Sequence, residues 1–188
     1  MKKILSLFIF AALLSCGGQK QLITATDSVK LENVKESLEY LASDELEGRN
    51  TGTKGIEKAA VYIENVFRKN NIQPYFKTYR DSFNLKDIVG YNVVGYVEGN
   101  DPDLKYEFVI LGAHYDHIGK AKEVNGDTIA NGANDDASGT VAVLEWPRYF
   151  SRTKNDKRSI LFTLYAAEEM GLKGSGHLAE RLKTEGID

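Results

Sequence analysis

The stretch Tyr106-Glu-Phe-Val-Ile-Leu-Gly-Ala-His-Tyr-Asp116 decides the fold, because a nearly continuous apolar run ends there in polar side chains. A run such as Tyr106 to Leu111 is typical of a strand that is buried on both faces of a sheet. A second run of this kind extends from Arg158 to Ala166, and an amphipathic segment from Ala137 to Phe150 stands between the two. Strand, helix and strand in this order predict an α/β fold with a mostly parallel central sheet flanked by helices.

Further predicted elements surround this unit. Apolar residues at helical spacing predict amphipathic helices, and β-rich runs between turn residues predict strands. The predicted elements are helices over about 28–42, Gly55–Asn70 and Leu172–Lys183, and strands at Phe76–Phe83 and Tyr91–Val97. Residues 115–136 hold few apolar positions and are predicted to form a long loop, a feature that is often functional. Pro147 is expected to kink the helix that begins at Ala137 or to end it at about Trp146.

Composition excludes several classes of function. A chain of 188 residues with 42% hydrophobic and 27% charged residues is typical of one soluble globular domain. A formal net charge of −3 and the lack of a basic stripe argue against nucleic acid as a partner. The sequence has no Gly-x-Ser-x-Gly elbow and no phosphate-binding loop, so serine hydrolase and nucleotide chemistry are unsupported.

The first residues are predicted to be a targeting segment. A basic start, Lys2-Lys3, precedes an apolar run from Ile4 to Leu14 that is shorter than the roughly 20 residues needed to span a bilayer. The run ends in Leu13-Leu14-Ser15-Cys16, which resembles the lipobox of bacterial lipoproteins. We therefore expect residues 1–15 to be a signal peptide, Cys16 to be lipidated, and 16–27 to be a tether. The alternative is an ordinary signal peptide with a chance cysteine.

This N-terminus implies a location in the bacterial cell envelope. The protein is expected to be exported across the inner membrane and to be held on the periplasmic or outer-membrane side by its lipid anchor alone. Cys16 is the single cysteine of the chain, so the mature domain, 28–188, has no thiolate ligand. Any zinc in that domain must be held by His, Asp or Glu. Nothing in the sequence indicates an oligomeric state.

Three polar clusters follow the predicted buried strands. His114-Tyr-Asp116 lies just past the first strand and Glu168-Glu169 just past the second. The pair Asp135-Asp136 lies in the turn Asn131–Gly139, which closes the long loop. In an open α/β sheet, ligands bind outside the carboxyl ends of the strands, so we expect all three clusters on one rim.

The residue types in these clusters suit zinc. Imidazole nitrogen and carboxylate oxygen are zinc ligands, and two metals close together need a carboxylate that bridges them. A ligating histidine usually has its other ring nitrogen held by a carboxylate, which Asp116 or Asp136 could supply. Of two adjacent glutamates, one can bind metal while the other takes a proton from water. Each cluster alone has a structural explanation, such as a helix cap at Asp136, and it is the combination that indicates a site.

Five stretches, from about residue 36 to the end, carry a resemblance to a known family. They are Leu41-Ala-Ser-Asp-Glu-Leu-Glu-Gly-Arg49, Asn92-Val-Val-Gly95, Val109-Ile-Leu-Gly-Ala-His-Tyr-Asp-His-Ile-Gly119, Gly132-Ala-Asn-Asp-Asp-Ala-Ser-Gly139 and Ala166-Ala-Glu-Glu-Met-Gly-Leu-Lys-Gly-Ser175. The chain resembles the zinc aminopeptidases of the bacterial leucyl aminopeptidase / glutamate carboxypeptidase family. The resemblance implies a zinc-exopeptidase-like (phosphorylase/hydrolase-like) fold and hydrolysis of the N-terminal bond of peptides by water activated by two zinc ions.

The resemblance also implies a role for each site residue. The implied roles are zinc ligands at His114 and Glu169, a bridging carboxylate at Asp135, a general base at Glu168 and an orienting partner of His114 at Asp116. Asp136 stands just before the helix that begins at Ala137, so we expect a supporting or capping role for it. His117 is expected to line the site or to be exposed rather than to bind metal. His177 is expected to lie on the surface.

Two alternatives to a complete peptidase stay open. The family has two further ligands, an aspartate and a histidine, which would lie beyond Asp188, so the C-terminal strands are expected to be missing. The 188-residue chain could therefore be an inactive fragment with an open apolar sheet edge. The other alternative is an enzyme like the glutaminyl cyclases, which share the fold and perform an intramolecular acyl transfer with one zinc.

Overall fold

The computed structural model describes residues 29–187, in which helices lie on both faces of a five-stranded sheet. The helices are α1 (Leu31–Leu41), α2 (Lys54–Lys69), α3 (Ser138–Thr153) and α4 (Lys173–Thr184), with short 3-10 helices at Asp44–Arg49 and Leu104–Tyr106. The strands are β1 (Gln73–Pro74), β2 (Arg80–Leu85), β3 (Ile88–Val97), β4 (Phe108–His114), β5 (Lys120–Val124), β6 (Asp127–Ile129) and β7 (Ser159–Tyr165). The predicted signal peptide, 1–15, and tether, 16–27, lie outside the described residues. None of the helices within 29–187 combines the length and apolar character needed to cross a bilayer.

The central sheet is mixed, and the prediction of a mostly parallel sheet is wrong. β1 and β2 both pair antiparallel with β3, β3 pairs antiparallel with β7, and β4 pairs parallel with β7. Connection length explains the difference. β2 and β3 are joined by two residues, Lys86 and Asp87, which leave no room for a crossover, whereas α3 carries the chain from β4 to β7. β4 and β7 can therefore pair in parallel, because the crossover connection between them contains α3.

Alternate residues of the central strands face two separate cores. Val93 and Phe162 belong to the larger core, which α1, α2 and α3 cover. Val94 and Leu161 point to the opposite face, where the apolar side of α4 packs. Successive side chains of a strand point to opposite faces, so both faces of β3 and β7 must be apolar. The prediction that Arg158–Ala166 is a buried strand agrees with β7.

β4 lies at an edge of the sheet, although its sequence predicts a strand buried on both faces. Within residues 29–187 it pairs with β7 alone, and the side chains of Val109 and Ile110 are 41% and 46% exposed. An edge strand presents unpaired backbone groups to which another strand can add. The apolar sheet edge that the fragment hypothesis requires is thus present in the described part of the chain.

Two local predictions also need correction. The strand predicted at Phe76–Phe83 is shifted along the chain, because 75–79 are bends and β2 begins at Arg80. The loop predicted over 115–136 contains the hairpin β5–β6. Its turn is Asn125-Gly126, with φ of 55° and 89°. Asn-Gly with positive φ at both positions is the two-residue hairpin turn that matches strand twist, so this signal was present in the sequence.

We expected Pro147 either to kink α3 or to end it at about Trp146. The helix continues to Thr153, so the second of these expectations is wrong. Proline has no N–H, so the carbonyl of Val143 lacks its helical donor. Beyond the proline, the ring of Phe150 packs against the ring of Trp146 at 5.9 Å and against the buried Phe162 at 6.3 Å. Tertiary packing therefore holds the last turns in helical form.

We expect Pro147→Ala to raise the free energy of unfolding by about 1 kcal/mol. Alanine restores a helical hydrogen bond and removes a penalty of about 3 kcal/mol, while lost burial of the ring and a more flexible unfolded chain offset part of the gain. Urea unfolding of the two proteins measures the difference. Unchanged or lower stability would show that the helix has adapted fully to the proline.

Candidate metal centre

The parallel pair of strands determines where the polar clusters lie. In its register His114 is opposite Tyr165, so β4 and β7 end at the same rim of the sheet. The backbone N–H of Tyr115 donates to the carbonyl of Tyr165 at 2.9 Å, which keeps the two chains together past the strand ends. The His114–His117 and Ala166–Glu169 segments therefore run side by side.

A tight turn brings the acidic pair to this rim. Gly132 has a φ of 61°, and the N–H of Ala137 donates to its carbonyl at 3.1 Å. The peptide bond between Asp135 and Asp136 is cis. Asp136 turns back onto α3 and its Oδ1 accepts the N–H of Gly139 at 2.9 Å, which is the contact of a capping carboxylate. The side chain of Asp135 is instead 62% exposed.

The ring of His114 lies between two carboxylates. Its Nε2 is 3.1 Å from Oδ1 of Asp135. Its Nδ1 is 3.2 Å from the backbone carbonyl of Asp116 and 3.6 Å from Oδ1 of the same residue. The interaction with Asp116 is the largest of the causes that raise the pKa of His114 to about 9, with Asp136 and Glu168 adding to it. The surroundings of this imidazole therefore favour positive charge.

Asp116 connects the two strand-end segments. Its side chain is 1% exposed. Oδ1 accepts the backbone N–H of Glu168 at 3.2 Å, while Oδ2 accepts that of Glu169 at 3.4 Å and the hydroxyl of Thr51 at 3.3 Å. One buried carboxylate thus faces His114 and also holds the backbone of both glutamates. This geometry suits the orienting role that the resemblance implies for Asp116.

The two glutamates differ in their surroundings. Glu169 contacts His117, whose Nδ1 lies 2.6 Å from Oε1 of the carboxylate. Glu168 is half-buried, and its backbone carbonyl accepts the N–H groups of Gly171 and Leu172 at 2.8 and 2.9 Å. The backbone of Glu168 is therefore fixed from both sides, by Asp116 and by this turn.

Arg49 links the segments that carry the site, and the sequence did not reveal this role. Its side chain is 1% exposed. Nε donates to the carbonyl of Tyr115 at 2.9 Å, Nη1 to those of Leu41 and Asn131 (2.7 Å for Asn131), and Nη2 to that of Gly132 at 2.9 Å. Burial lowers the pKa of Arg49, and the nearby carboxylates, first Asp116, oppose that shift. A guanidinium stays charged under these conditions, so Arg49 partly balances the acidic cluster.

The loop that contains Arg49 packs tightly on the site segments. Gly48 has a φ of 68°, and a Cβ there would lie 2.3 Å from the carbonyl oxygen of Gly119. The N–H of Gly119 donates to the carbonyl of Gly48 at 3.1 Å, and that of His117 to the carbonyl of Arg49 at 3.3 Å. The Glu47-Gly48-Arg49 stretch could have been recognised from the sequence only by its place in the resemblance. A charged residue in a polar loop otherwise predicts a solvated side chain.

The third histidine lies away from this rim. Nε2 of His177, in α4, is 3.2 Å from Oδ1 of Asp81, which is fully buried and also accepts Arg181 at 2.5 Å. The ring of His177 packs 5.1 Å from that of Phe83. His177 therefore lies away from the candidate ligands, at a partly exposed position of α4 with 32% of its side chain accessible.

The donor set fits a divalent cation such as zinc. One ligand atom each from His117, Asp135 and Glu169 lies within 4.8 Å of the others, and His114 contacts Asp135 as well. Imidazole nitrogen and carboxylate oxygen bind zinc at about 2.0–2.2 Å, which places the ligand atoms of a tetrahedral site about 3.3 Å apart. Rotation of the exposed Asp135 side chain covers a difference of this size. Asp116 and Asp136 are held by protein donors and are not available in the same way.

Comparison with known proteins places the chain among peptidases. Residues 92–188 match the model of Peptidase family M28. The chain is 31% identical over 179 residues to a probable zinc metalloprotease of Pyrenophora teres f. teres, a match that covers 87% of this chain and 36% of that protein. It is 36% identical over 101 residues to a probable leucine aminopeptidase of Trichophyton verrucosum, covering 51% of this chain and 25% of that protein. The chain thus spans about a third or less of these relatives.

Solved structures show the same fold. The LapA aminopeptidase of Legionella pneumophila has a TM-score of 0.66 at 25% identity, covering 87% of this chain and 42% of that chain. A glutaminyl cyclase of Fimbriiglobus ruber has a TM-score of 0.63 at 18% identity, covering 81% of this chain and 55% of that chain, which shows likeness of fold alone. The family match covers more than half of the sequence and includes His114, His117, Asp135, Glu168 and Glu169. This chain belongs to Peptidase family M28.

Proposed function

We propose that the protein is a zinc-dependent aminopeptidase that hydrolyses the N-terminal bond of peptides. The observation that carries the proposal is the meeting of two imidazole–carboxylate contacts at one rim, His114 with Asp135 and His117 with Glu169. Glu168 is next in the chain to Glu169 and is held by the same buried Asp116. The names of the metalloprotease and aminopeptidase relatives support the same activity.

Each residue has a part in the proposed reaction. Zinc, when bound, supplies a Lewis acid for the substrate carbonyl and lowers the pKa of water towards about 7. His114, Asp135 and Glu169 would hold it, with Asp135 shared between two ions as the resemblance implies. Glu168 would accept the proton of the attacking water and later pass it to the leaving amine. Asp116 would fix the position of His114 relative to Glu168, because it contacts the ring of His114 and the backbone N–H of Glu168.

We also propose the envelope location and the domain limits that the sequence predicts. The Lys2-Lys3 start, the short apolar run and Cys16 support a lipidated protein whose 28–188 segment is part of a zinc-peptidase domain. The greater length of the relatives and the open edge of β4 support the view that complete activity needs further chain.

Zinc content and substrate choice test the proposed activity in the product of the full reading frame. Removal of metal by a chelator is expected to abolish release of chromophore from aminoacyl p-nitroanilides, and added zinc to restore it. The matched control is the same substrate with an acetylated amine, which an aminopeptidase should not cleave. Cyclisation of an N-terminal glutamine peptide without cleavage of any anilide would show instead a glutaminyl cyclase. Activity that survives complete metal removal would contradict both.

A further inference from the structure

We propose that Asn92 is a positioning residue for the reaction, because its side-chain amide fixes both ends of the segment 166–174, which carries Glu168 and Glu169. The inference rests on the proposed zinc function. It gives a role to the stretch Asn92-Val-Val-Gly95, to which the resemblance assigns none. Asn92 lies in β3 and is fully buried, so it acts through its neighbours rather than through contact with a substrate.

The first support is the set of hydrogen bonds that the amide makes. Its Oδ1 accepts the backbone N–H of Ala166 at 3.2 Å, and its Nδ2 donates to the carbonyl of Gly174 at 2.9 Å. Nδ2 also donates to Oδ2 of Asp81, another fully buried side chain, at 3.2 Å. One acceptor and two donors on the same short side chain are what a carboxamide offers. The three partners therefore determine which way the amide faces.

The second support is the position of Asn92 in the sheet. The backbone pairing of β3 with β7 ends at Val93 and Leu164. One residue before Val93, the side chain of Asn92 binds Ala166, the first residue beyond β7. Ala166 is 1% exposed, and a buried backbone N–H without a partner is costly. Asn92 thus supplies the hydrogen bond that the sheet no longer provides.

The third support is the close approach of the two ends of the segment. The N–H of Gly174 donates to the carbonyl of Ala166 at 3.1 Å. A Cβ at Gly174 would lie 2.2 Å from that carbonyl oxygen and 2.4 Å from Oδ1 of Asn92, so the approach requires glycine. Ala167, inside the segment, has a φ of 56°. Such a left-handed conformation is unfavourable for alanine and persists only where the surroundings hold it.

Asn92 and Asp116 hold different parts of the same segment. Asp116 accepts the backbone N–H groups of Glu168 and Glu169 themselves. Asn92 holds the residues before and after them from the opposite side, through β3. A misplacement of about 1 Å can lower a rate by about 10²-fold. Loss of the amide should therefore affect the proposed base and the proposed ligand together.

Asn92→Ala in the product of the full reading frame tests the inference. For an aminoacyl p-nitroanilide we expect kcat to fall by about 100-fold and KM to stay within about twofold, because Asn92 does not contact the substrate. Zinc affinity, measured by competition with a chelating indicator, should fall by about 10-fold or more, as when a group that supports a ligand is lost.

The matched control is Ser159→Ala, at the other end of β7. The buried hydroxyl of Ser159 donates to the carbonyl of Lys105 at 2.5 Å and accepts the N–H of Gly99 at 3.1 Å. Both variants lose buried hydrogen bonds and should lose stability, but only Asn92→Ala should change kcat and zinc affinity. Unchanged kcat and zinc affinity in folded Asn92→Ala would overturn the inference and leave the proposed function intact. A parent protein without zinc binding and turnover would contradict the proposed function, and the role of Asn92 with it.

Amide hydrogen exchange tests the same contacts in the unaltered 188-residue chain, whether or not Asn92→Ala folds. We expect the N–H groups of Ala166, Glu168 and Glu169 to be protected at least about 100-fold more strongly than that of Gly126, in the exposed hairpin turn. An unprotected Ala166 would show that its bond to Asn92 is not maintained. A protected Ala166 with unprotected Glu168 and Glu169 would show that the amide does not fix the glutamates. Either result would overturn the inference.

Discussion

Replacement of Glu168 by glutamine is expected to lower the turnover of the full-length protein by about 10²–10⁴-fold, the usual contribution of a general base. Glutamine has nearly the same shape but cannot accept a proton at neutral pH. The backbone N–H of residue 168, which donates to Asp116, is unchanged by the substitution, so the turn should keep its geometry. The zinc content should therefore equal that of the parent protein.

Two comparison variants make the result specific. Glu169→Gln removes a proposed ligand and is expected to lower both zinc affinity and turnover, whereas Glu180→Gln, at an exposed position of α4, should change neither. Turnover by p-nitroanilide release and zinc by atomic absorption should be measured on the same samples. Retained turnover in Glu168→Gln would contradict the role of Glu168. Loss of zinc in that variant would show that Glu168 binds metal.

Arg49→Met is expected to lower the free energy of unfolding by about 3–5 kcal/mol. Methionine has a similar length but donates no hydrogen bond, so the carbonyls of Leu41, Tyr115, Asn131 and Gly132 lose their guanidinium donor. An unsatisfied buried polar group costs about 1–3 kcal/mol. The substitution also removes the buried positive charge next to Asp116, Asp135 and Asp136.

Urea unfolding measures this loss, and Arg68→Met is its matched control. Arg68 makes an ion pair with Glu64 at 2.6 Å, but its side chain is 53% exposed, so its removal should cost less than about 1 kcal/mol. Arg49→Lys should recover little of the lost stability, because an ammonium group cannot reach four carbonyls with the geometry of a guanidinium. Equal losses in Arg49→Met and Arg68→Met would mean that the buried contacts of Arg49 contribute little to stability.

The candidate site was predictable from the sequence to a greater extent than the sheet. The rim prediction depends only on β4 and β7 being parallel neighbours, and they are. The wrong orientation assumed for the other strands did not affect the predicted position of the site, because none of the candidate site residues predicted from the sequence lies in β1, β2 or β3. Apolar runs indicate burial but carry no information on strand direction, so a mixed sheet and a parallel one look alike along the chain.

His117 and Arg49 show why some contacts within the site could not be predicted. Nothing in local spacing distinguishes a histidine that contacts Glu169, 52 positions away, from an exposed one. Likewise, Arg49 lies in a polar loop, and three of its four carbonyl partners, those of Tyr115, Asn131 and Gly132, are 66, 82 and 83 positions away in the chain. Such partners exist only once the loop has packed on the rim.

The sequence by itself predicted most of the helices, the buried strand β7, the acidic turn, and the positions of His114, Asp116, Asp135, Glu168 and Glu169 at one rim, because residue type and local periodicity suffice for these. Tertiary structure alone decided the direction of the strands, the edge position of β4, and the contacts of His117 and Arg49. The physical reason is that burial and hydrogen-bond satisfaction depend on which distant groups meet, and a chain can leave a charged side chain such as Arg49 unsolvated only where the fold supplies its partners.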